Sequence, residues 1–396
     1  MKPKKNILFV MNNLGVGGAE KALVSMLQVF DFSRYEVDLL LFKQEGLFLK
    51  QLPEEVTLLP EPENWKYFDM PFSQVVKENF FRGKWNVIIQ RIIFKLVQIK
   101  AKNTSEKEQF GWNAVAKTMI SLSKKYDVAI GFLQNNPNYF VVDKVNADKK
   151  IGYIHTNYEA LKIDTKFDQK YFEYLDKVIT VSDDSREVLN KLFPYMKQKF
   201  AVIKNISSQK TIRDLALAAI DDEAFQNSIL TVGRLTKVKN HQLAIDAFEI
   251  LNKRNIPFFW YVLGDGVLRS QLEESVKRAG LIDRVFFLGA KENPYPYILK
   301  SEIFLLTSLF EGDGIVVREA KILNKPIILT NFNTASAHVE SNVNGIIVKC
   351  NAEELADSIE DLIVNYDKRM AFSKELSKSN WGTENEIEKL YQLIED

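Results

Sequence analysis

Short apolar runs alternate with amphipathic stretches along most of the 396-residue chain. The runs at 7–11 (ILFVM), 37–42 (VDLLLF) and 127–133 (DVAIGFL) are typical of strands buried on both faces. Between the first two runs, apolar residues from Leu23 to Phe30 recur at i, i+3, i+4 and i+7, the spacing of one helix face. This alternation predicts parallel sheets whose strands are joined by crossover helices.

The alternation stops once and then restarts. Residues 206–227 are polar and predict a linker with a loose helix. Six further apolar runs follow within residues 228–349. We therefore predict two α/β domains, residues 1–205 and 206–380, and a terminal helix over 381–396 that packs back toward the first domain.

The composition excludes several classes of protein. With 46% hydrophobic and 27% charged residues, the chain is neither disordered nor fibrous. One cysteine, Cys350, excludes an internal disulfide framework, and three histidines disfavour a His-rich metal site. A membrane-spanning helix needs about 18 apolar residues, and the longest runs, such as residues 303–310, are far shorter. The run at 7–11 is also too short for a signal peptide, so we interpret it as a first strand.

Charge is divided unequally between the two halves of the chain. Residues 1–205 hold 31 Lys and Arg against 24 Asp and Glu, a net charge of +7. The remaining residues hold 22 against 28, a net charge of −6. A basic front half and an acidic back half indicate that the two halves meet different partners.

Residues 61–110 break the rhythm of the first domain with aromatic residues and lysines. On one ideal helix, four basic residues would fall within about 20° of a single line, and they are Lys84, Arg91, Lys95 and Lys102. Apolar residues would occupy another side: Ile89, Ile92, Ile93 and Leu96. Such a helix could rest on an anionic membrane surface through its basic line. The alternative is a surface helix whose apolar face joins the domain core.

A glycine-rich loop, GVGGAE at 15–20, follows the first predicted strand. Its glycines allow close approach of a ligand, and the next helix offers its positive N-terminus to an anion. A dinucleotide fingerprint would need Gly or Ala at Glu20 and an acidic residue at Lys43, so NAD binding is disfavoured. Gly17 and Gly18 remain candidates for a phosphate contact, against the alternative of a simple turn.

Two basic residues mark the start of the second domain, in VGRLTKVKN. Arg234 and Lys239 bracket the end of a predicted strand and the start of the next helix. Two cations at this position could neutralise a diphosphate without a metal ion. The alternative is a basic loop that faces solvent.

Two glutamates frame the segment EGDGIVVRE, which follows a predicted strand and opens a helix. Glu311 then lies at a strand's carboxyl end, where open α/β sheets bind ligands. Because carboxylates repel phosphate, the natural targets of Glu311 and Glu319 are sugar or ribose hydroxyls. Phosphates would meet the backbone amides flanked by Gly312 and Gly314. The alternative is a pair of ordinary surface glutamates.

These motifs, in this order and at these separations, resemble those of the GT-B glycosyltransferases of family 4, in particular the bacterial surface-polysaccharide members. The resemblance is strongest over residues 228–349 and implies an α/β, GT-B fold, in which two Rossmann-like domains with parallel sheets face each other across a cleft. It implies a nucleotide-sugar donor on the C-terminal domain, an acceptor on the N-terminal domain, and retention of anomeric configuration. It also implies no metal or other cofactor at the catalytic centre.

The resemblance assigns roles to individual residues. Glu319 is expected to bind ribose and Glu311 the donor sugar, while Arg234 and Lys239 hold the diphosphate and stabilise the leaving group. Further donor contacts are implied for Gly17, Gly18, Ala290, Lys291, Gly312, Asp313, Gly314 and Ile315. His155, at the end of IGYI, is expected near the donor sugar, with a buried structural role as the alternative.

The sequence departs from the family pattern around the expected donor sugar. Asp313 stands where a hydrophobic residue is usual, and Ile315, Val316 and Val317 replace a frequent Leu-Pro-Leu. The segment NTASAHVE at 333–340 replaces a later glycine-rich loop. The identity of the donor sugar is therefore open, whereas donor binding itself is expected.

The resemblance implies a retaining glycosyltransferase with a UDP-linked donor and a growing surface glycan, carried on polyprenyl diphosphate, as acceptor. We expect a cytoplasmic protein at the inner face of the cell membrane. Its expected partners are the nucleotide sugar, the lipid-linked glycan, an anionic membrane surface and other polysaccharide-assembly proteins, without nucleic acid. The alternatives are a sugar-nucleotide epimerase on the same scaffold and a non-catalytic partner of an active glycosyltransferase.

Overall fold

The computed structural model describes residues 3–156, 158–220 and 228–396. These residues form two compact units, of which the first holds residues up to 15, 19–204 and 385–396, and the second holds 16–18 and 205–384. The chain thus enters the second unit at Asn205 and leaves it after Glu384. Among the described residues, none of the helices combines the length and the apolar character that crossing a membrane requires.

The first unit is built on a seven-stranded parallel sheet with the order β3-β2-β1-β4-β5-β6-β7. Its strands are β1 (Lys5–Met11), β2 (Tyr35–Leu41), β3 (Val56–Leu59), β4 (Lys125–Gly131), β5 (Asn146–Ile154), β6 (Lys177–Thr180) and β7 (Phe200–Val202). Val10 pairs with Leu40 on one side and with Gly131 on the other. The strand order reverses between β1 and β4, which makes that position the topological switch point.

Helices connect these strands and cover both faces of the first sheet. They are α1 (Gly18–Leu27), α2 (Phe72–Phe80), α3 (Trp85–Gln98), α4 (Thr104–Ala116), α5 (Asn136–Lys144), α6 (Tyr158–Leu161), α7 (Thr165–Tyr174) and α8 (Asp183–Leu192). Their starts are capped by short polar side chains: Asn103 accepts from the Glu106 amide and Ser182 from the Ser185 amide. Because both faces are covered, Ile7 through Met11 are fully buried, as the continuous apolar run predicts.

The second unit repeats this plan with a six-stranded parallel sheet of order β10-β9-β8-β11-β12-β13. Its strands are β8 (Ser228–Val232), β9 (Phe259–Leu263), β10 (Val285–Gly289), β11 (Ile303–Leu306), β12 (Ile327–Thr330) and β13 (Ile346–Val348). Here the switch point lies between β8 and β11. The predicted pair of parallel α/β sheets is therefore confirmed.

The helices of the second unit are α9 (Gln209–Ala216), α10 (His241–Lys253), α11 (Arg269–Arg278), α12 (Tyr295–Lys300), α13 (Ile315–Ile322), α14 (Ala335–His338), α15 (Ala352–Val364) and α16 (Tyr366–Ser377). The predicted loose helix within 206–227 corresponds to α9, and residues 221–227 lie outside the described part. Segments at the two ends of this unit pair with each other, because the Thr383 amide donates to the Ser207 carbonyl at 3.0 Å.

The last helix, α17 (Ile387–Glu395), belongs to the first unit. The Tyr391 ring stacks on Tyr35 with centroids 5.2 Å apart, and its hydroxyl accepts from the Asp31 amide at 2.7 Å. The Glu395 carboxylate lies 3.1 Å from both Lys5 and Arg34. Aromatic stacking, a hydrogen bond and ion pairs thus hold α17 against β1, β2 and the segment before β2.

Candidate functional site

Two loops leave the second sheet side by side at its switch point. One follows β8 and includes a 3₁₀ turn at Lys237–Lys239, and the other follows β11 and leads to Glu311. Since β8 and β11 are parallel neighbours, both loops emerge at the carboxyl edge of the sheet. The Leu309 amide donates to the Val238 carbonyl at 2.8 Å, which holds the two loops together.

An ion pair joins these two loops. The ammonium of Lys239 lies 2.6 Å from Oε1 of Glu311, and the two side chains are only 18% and 12% exposed. The Ser308 hydroxyl donates to the same oxygen at 2.5 Å. The aliphatic stem of Lys239 lies over Gly233, where a Cβ would be 3.5 Å from it. The sequence thus places a cation for an anionic group and an acceptor for hydroxyl groups in one small space.

Arg234 follows the same strand but does not join this pair. Its side chain is exposed, whereas that of Lys239 is largely buried. The two predicted cations therefore lie on one loop in different environments. No motif in the sequence singles out Ser308, although it follows the strand β11 and lies three residues before Glu311.

Residues 312–314, which we call the glycine loop, follow Glu311 and lead directly into helix α13. Gly314 has a φ of +59°, the left-handed conformation that favours glycine, and Ile315 begins the helix. A Cβ on Gly314 would lie 2.7 Å from Nε2 of His338. Gly312 and Ile315 are half-buried. The backbone amides at the start of α13 consequently lie next to Glu311, with the partial positive charge of a helix N-terminus.

His338 received no role from the sequence, yet its ring lies against Gly314. Its backbone carbonyl accepts from the buried ammonium of Lys321, on α13, at 2.7 Å. The pKa of Lys321 is lowered to about 8, first by burial and then by the positive charge of Arg318. The segment NTASAHVE thus lies beside the glycine loop, and Asn333 contributes Oδ1 as acceptor for the Glu311 amide at 3.3 Å.

Glu319 lies one turn further along α13 and is buried. The hydroxyl of Tyr295, on α12, donates to its Oε1 at 3.2 Å. Burial and the neighbouring carboxylate hold the pKa of Tyr295 well above its ordinary value, so this hydroxyl stays a donor. Because Glu311 is mostly buried and Glu319 fully so, the alternative of two ordinary surface glutamates is wrong.

Asp313 has a side-chain partner on α13. Its carboxylate binds the guanidinium of Arg318 through two hydrogen bonds, of 2.6 and 3.2 Å. Both side chains are at most 10% exposed. Arg318 also donates to the carbonyl of Asn205 at 3.2 Å.

Ala290 and Lys291 follow β10, two strands away from β8 at the same edge of the sheet. Ala290 is half-buried and Lys291 is exposed. The ammonium of Lys291 lies 5.6 Å from the centre of the Tyr297 ring. The preceding Gly289 has a φ of +72° and accepts from the Gly264 amide at 2.9 Å, which fixes the course of this loop.

The first unit carries the remaining predicted contacts. His155 follows β5, and its ring stacks on Tyr153 with centroids 5.4 Å apart and lies 4.8 Å from Phe132. Its backbone amide donates to Gln134, which follows β4, at 3.3 Å. The imidazole is half-buried against aromatic rings at the carboxyl edge of the first sheet. Gly17 and Gly18 lie at the start of α1 and group with the second unit.

The sequence contains two Asp-Asp pairs, 183–184 and 221–222, that we expect to be solvated, and a histidine, His241, for which we expect a structural role. His241 opens α10 and is fully buried, and burial together with Lys239 lowers its pKa to about 4. Asp183 and Asp184 are exposed in the first turn of α8. Asp221 and Asp222 lie outside the described residues.

The basic line predicted over residues 84–102 is not formed. Helix α3 ends at Gln98, so Lys102 lies in the connection to α4, and Lys84 precedes α3 and pairs with Glu63 at 2.8 Å. Arg91 is 7% exposed, and its Nε donates to the Tyr67 carbonyl at 3.0 Å. The prediction that Arg91 faces a membrane is therefore wrong, while Lys95 and Lys102 are exposed.

The apolar side of α3 does not join the domain core, which was the alternative to membrane contact. Val87 and Ile88 pack inward, while the side predicted for the core faces outward. Its exposed members are Ile89, Ile92, Ile93 and Leu96. The interpretation in which this face joins the domain core is therefore wrong.

Residues 219–379 match the family model described as "Glycosyl transferases group 1". This range contains β8 through α16 and with them the paired loops, the glycine loop and Glu319. The family model thus matches the part of the chain that contains the Lys239–Glu311 pair and Glu319.

Curated relatives match with modest identity. An uncharacterized glycosyltransferase of Methanocaldococcus jannaschii is 27% identical over 176 residues, and this alignment spans only 43% of either chain. The N-acetylgalactosamine-N,N'-diacetylbacillosaminyl-diphospho-undecaprenol 4-alpha-N-acetylgalactosaminyltransferase of Campylobacter jejuni is 24% identical over 82% of this chain and 80% of its own. A second Campylobacter jejuni enzyme, an alpha-1,4-N-acetyl-D-galactosaminyltransferase named for a PP-undecaprenol-linked glycan, is 26% identical over 93% of this chain and 91% of its own.

Solved structures match over the whole chain. Anabaena HepE, crystallised with UDP and glucose, superposes with a TM-score of 0.67 at 17% identity and 99% coverage of both chains. A Staphylococcus aureus TarM variant in complex with UDP gives a TM-score of 0.68 at 15% identity, covering 99% of this chain and 100% of its own. Residues 219–379 therefore match the group 1 glycosyl transferases, and the chain has the GT-B fold of these solved glycosyltransferases.

Proposed function

We propose that this protein is a glycosyltransferase that retains anomeric configuration and moves a sugar from a UDP-linked donor to a lipid-linked surface glycan. The observation that carries the proposal is the Lys239–Glu311 pair at the switch point of the second sheet, beside the start of α13. A diphosphate needs cations and amides, and a sugar needs hydroxyl acceptors. Both kinds of group are present there, with the ammonium of Lys239 2.6 Å from Oε1 of Glu311.

In the donor complex we assign the diphosphate to Lys239, Arg234 and the amides of residues 313–315. Glu311 then accepts from hydroxyls of the sugar, and Glu319 from those of the ribose. Lys239 would exchange part of its contact with Glu311 for phosphate oxygens, so the pair is already arranged before the donor binds. Solved relatives that contain UDP support the choice of nucleotide.

The transfer step needs no carboxylate base in this proposal. The acceptor hydroxyl oxygen forms a bond to the anomeric carbon while the bond from that carbon to the diphosphate oxygen breaks. The hydroxyl proton passes to the departing diphosphate, which leaves as UDP. Lys239 and Arg234 stabilise the negative charge on that leaving group, the role that a metal ion has in other transferases. We accordingly expect added EDTA to leave the rate unchanged.

The acceptor is proposed from the relatives, because two of them are named for transfer to glycans on diphospho-undecaprenol. This assignment favours a transferase over a sugar-nucleotide epimerase, which needs no acceptor. The sequence also argues against a non-catalytic partner subunit, because it keeps Glu311, Glu319, Lys239 and Arg234, the residues to which the resemblance gives donor roles.

A panel of nucleotide sugars tests the donor assignment. A bound donor should raise the melting temperature by mass action, and UDP sugars should do so more than GDP or ADP sugars. With the preferred donor and a polyprenyl-diphosphate glycan, UDP should be released and the new linkage should have the donor's anomeric configuration by NMR. Isomerised sugar without UDP release would support the epimerase instead.

We also propose that the protein works at an anionic membrane surface, where its acceptor is held. The observation is an outward apolar patch on the first unit, which we call the α2–α3 patch and which comprises Phe80, Phe81, Trp85, Ile89, Ile92, Ile93, Leu96 and Ile99. Phe81 is 90% exposed and Ile99 is 77% exposed. Contiguous apolar side chains on this scale mark interaction surfaces.

Charge around the patch fits an anionic bilayer. Basic side chains that flank it are exposed, among them Arg82, Lys95, Lys100 and Lys102. Apolar insertion supplies the larger part of the binding in this arrangement, and the basic rim adds a salt-dependent part. The expected contact therefore differs from the basic line that the sequence predicts, since Arg91 lies inside the fold.

Vesicle flotation tests this proposal. The protein should float with phosphatidylglycerol vesicles, less with phosphatidylcholine vesicles, and less at high salt. Replacing Ile89, Ile92 and Leu96 by serine should abolish flotation, while serine at the exposed Val267, Ile282 and Val364 of the second unit should not. A patch that instead dimerises the protein in sedimentation experiments, without vesicle binding, would overturn the proposal.

A further inference from the structure

Asp313 creates an electrostatic problem in the loop that the proposed function gives to the diphosphate. It lies between Gly312 and Gly314, immediately before α13, and the amides assigned to phosphate include its own. A carboxylate this close to a diphosphate would repel it, and the repulsion is strong where water is largely excluded. The resembled family usually has a hydrophobic residue at this position.

Arg318 removes this problem. Its guanidinium forms two hydrogen bonds with the carboxylate of Asp313, at 2.6 and 3.2 Å, and both side chains are nearly buried. An acidic residue before a helix is already favoured by the helix dipole. The arginine is therefore not needed to keep Asp313 at this end of α13, and its additional effect is to cancel the negative charge.

We propose that Arg318 is a positioning residue that makes Asp313 compatible with an anionic donor and fixes the glycine loop for diphosphate binding. The proposal rests on the proposed function, since it concerns the same donor site. Arg318 acts through Asp313 and the loop backbone. It is not assigned a contact with the donor.

A second contact ties the loop to the place where the chain enters the second unit. Arg318 donates to the Asn205 carbonyl at 3.2 Å, and the Thr383 hydroxyl donates to the same oxygen at 2.8 Å. The Ser207 amide in turn donates to the Thr383 hydroxyl at 2.9 Å. Arg318 thus links the glycine loop to the segment in which the chain enters the second unit, and this segment is itself bonded to the segment in which the chain leaves it. The position of the glycine loop therefore does not depend on Asp313 alone.

A purely structural pair makes a different prediction from a charge-cancelling one. If Arg318 only supports the fold, a second substitution at Asp313 should leave UDP binding as weak as in Arg318→Met or weaken it further. If Arg318 cancels a charge, Arg318→Met leaves a carboxylate that repels the donor, and a second change at Asp313 should restore binding. The two readings are therefore separated by the sign of the coupling between the two substitutions.

The experiment compares four proteins: wild type, Arg318→Met, the double variant with Asp313→Asn, and the double variant with Asp313→Leu. Affinity for UDP is measured by calorimetry, and kcat and KM for the donor by UDP release. Arg318→Met should weaken UDP binding by about tenfold or more and raise KM more than it lowers kcat. Both double variants should recover most of that loss, the leucine variant because an apolar pair replaces a buried ion pair well.

Arg369→Met is the matched control, because Arg369 is a comparably buried arginine of the same unit that pairs with Glu302 at 3.2 Å. It should lower the melting temperature and leave UDP affinity unchanged. Arg318→Lys, which keeps the charge, covers the case in which Arg318→Met fails to fold and should retain UDP binding.

Three results would overturn the inference. They are wild-type UDP affinity in Arg318→Met, double variants that bind UDP no better than that single variant, and a weakened Arg318→Lys. A wild-type protein that binds neither UDP nor any UDP sugar would overturn the proposed function itself. The two failures are thus told apart by the wild-type titration.

Discussion

The two sheets have the same strand order around their switch points but different chemistry at their carboxyl edges. In the second unit the edge carries the Lys239–Glu311 pair and the start of α13. In the first unit it carries His155, stacked on Tyr153, and Gln134. Topology therefore determines where a ligand can bind in each unit, while the loop residues determine which ligand it is.

Buried carboxylates sharpen this contrast. In the first unit, Asp168 accepts from the Gln109 amide at 2.7 Å, from the Tyr158 hydroxyl at 2.5 Å and from the Tyr139 hydroxyl. Burial, with a smaller contribution from the charge of Asp164, raises the pKa of Asp168, and these donors oppose that shift. Asp168 therefore holds helices together, whereas Glu311 has one cation, one hydroxyl and remaining exposure with which to meet a ligand.

The largest expected effect comes from removing the cation of the second edge. Lys239→Ala should lower kcat/KM by about a hundredfold or more, because it removes the charge contact that we propose for the leaving diphosphate. UDP release under single-turnover conditions measures it. Lys253→Ala is the control, since it breaks an exposed pair with Glu249 in the same unit. Wild-type rates for Lys239→Ala would contradict the proposal that Lys239 stabilises the leaving diphosphate.

The carboxylate of the first unit should behave in the opposite way. Asp168→Asn leaves three donors facing an amide that offers one acceptor, and should reduce the free energy of unfolding by about 2–3 kcal/mol. Urea denaturation measures that loss. The folded variant should keep the wild-type donor KM. A changed KM at wild-type stability would mean that the contrast between a structural and a ligand-binding carboxylate is wrong.

The pH dependence of stability should contain a contribution from the second unit. The pKa of His241 is lowered to about 4 in the folded chain, against 6.5 for an ordinary histidine. As the pH falls, His241 binds a proton in the unfolded chain at a higher pH than in the folded chain. Its contribution to the free energy of unfolding is therefore fully present above about pH 6.5 and is lost as the pH drops toward 4. Between pH 6.5 and 5 the loss should reach about 2 kcal/mol. His241→Leu should flatten that part of the curve, and an unchanged slope would contradict the assignment.

Much of the fold and part of the site were predictable because they depend on local pattern. Buried parallel strands need continuous apolar runs, and the glycine loop with Glu311 follows such a run directly. The family resemblance added the expected roles of Lys239 and Glu319. Each of these signals lies within a short stretch of sequence.

The remaining features depend on contacts between distant segments. The approach of His338 to Gly314 and the contact of Arg318 with the Asn205 carbonyl join residues far apart in sequence. The burial of Arg91 follows from the carbonyls of Tyr67 and Met70 that meet its guanidinium. Helical periodicity could show that α3 has two faces, but not which face the rest of the unit would cover.

The smallest expected effect tests the carboxyl edge of the first sheet. His155→Phe keeps a ring against Tyr153 and Phe132 and removes the two nitrogens, so folding should be retained. If His155 lies near the transferred sugar, as the family resemblance implies, and donates to it, kcat should fall by about fivefold to tenfold with little change in UDP affinity, on the scale of one lost hydrogen bond. UDP release and calorimetry measure the two quantities. His155→Ala should add a loss of melting temperature because the stacking is also removed. Equal activity of the phenylalanine variant and the wild type would assign His155 to packing alone, and the first edge would then contribute shape without a polar contact to the sugar.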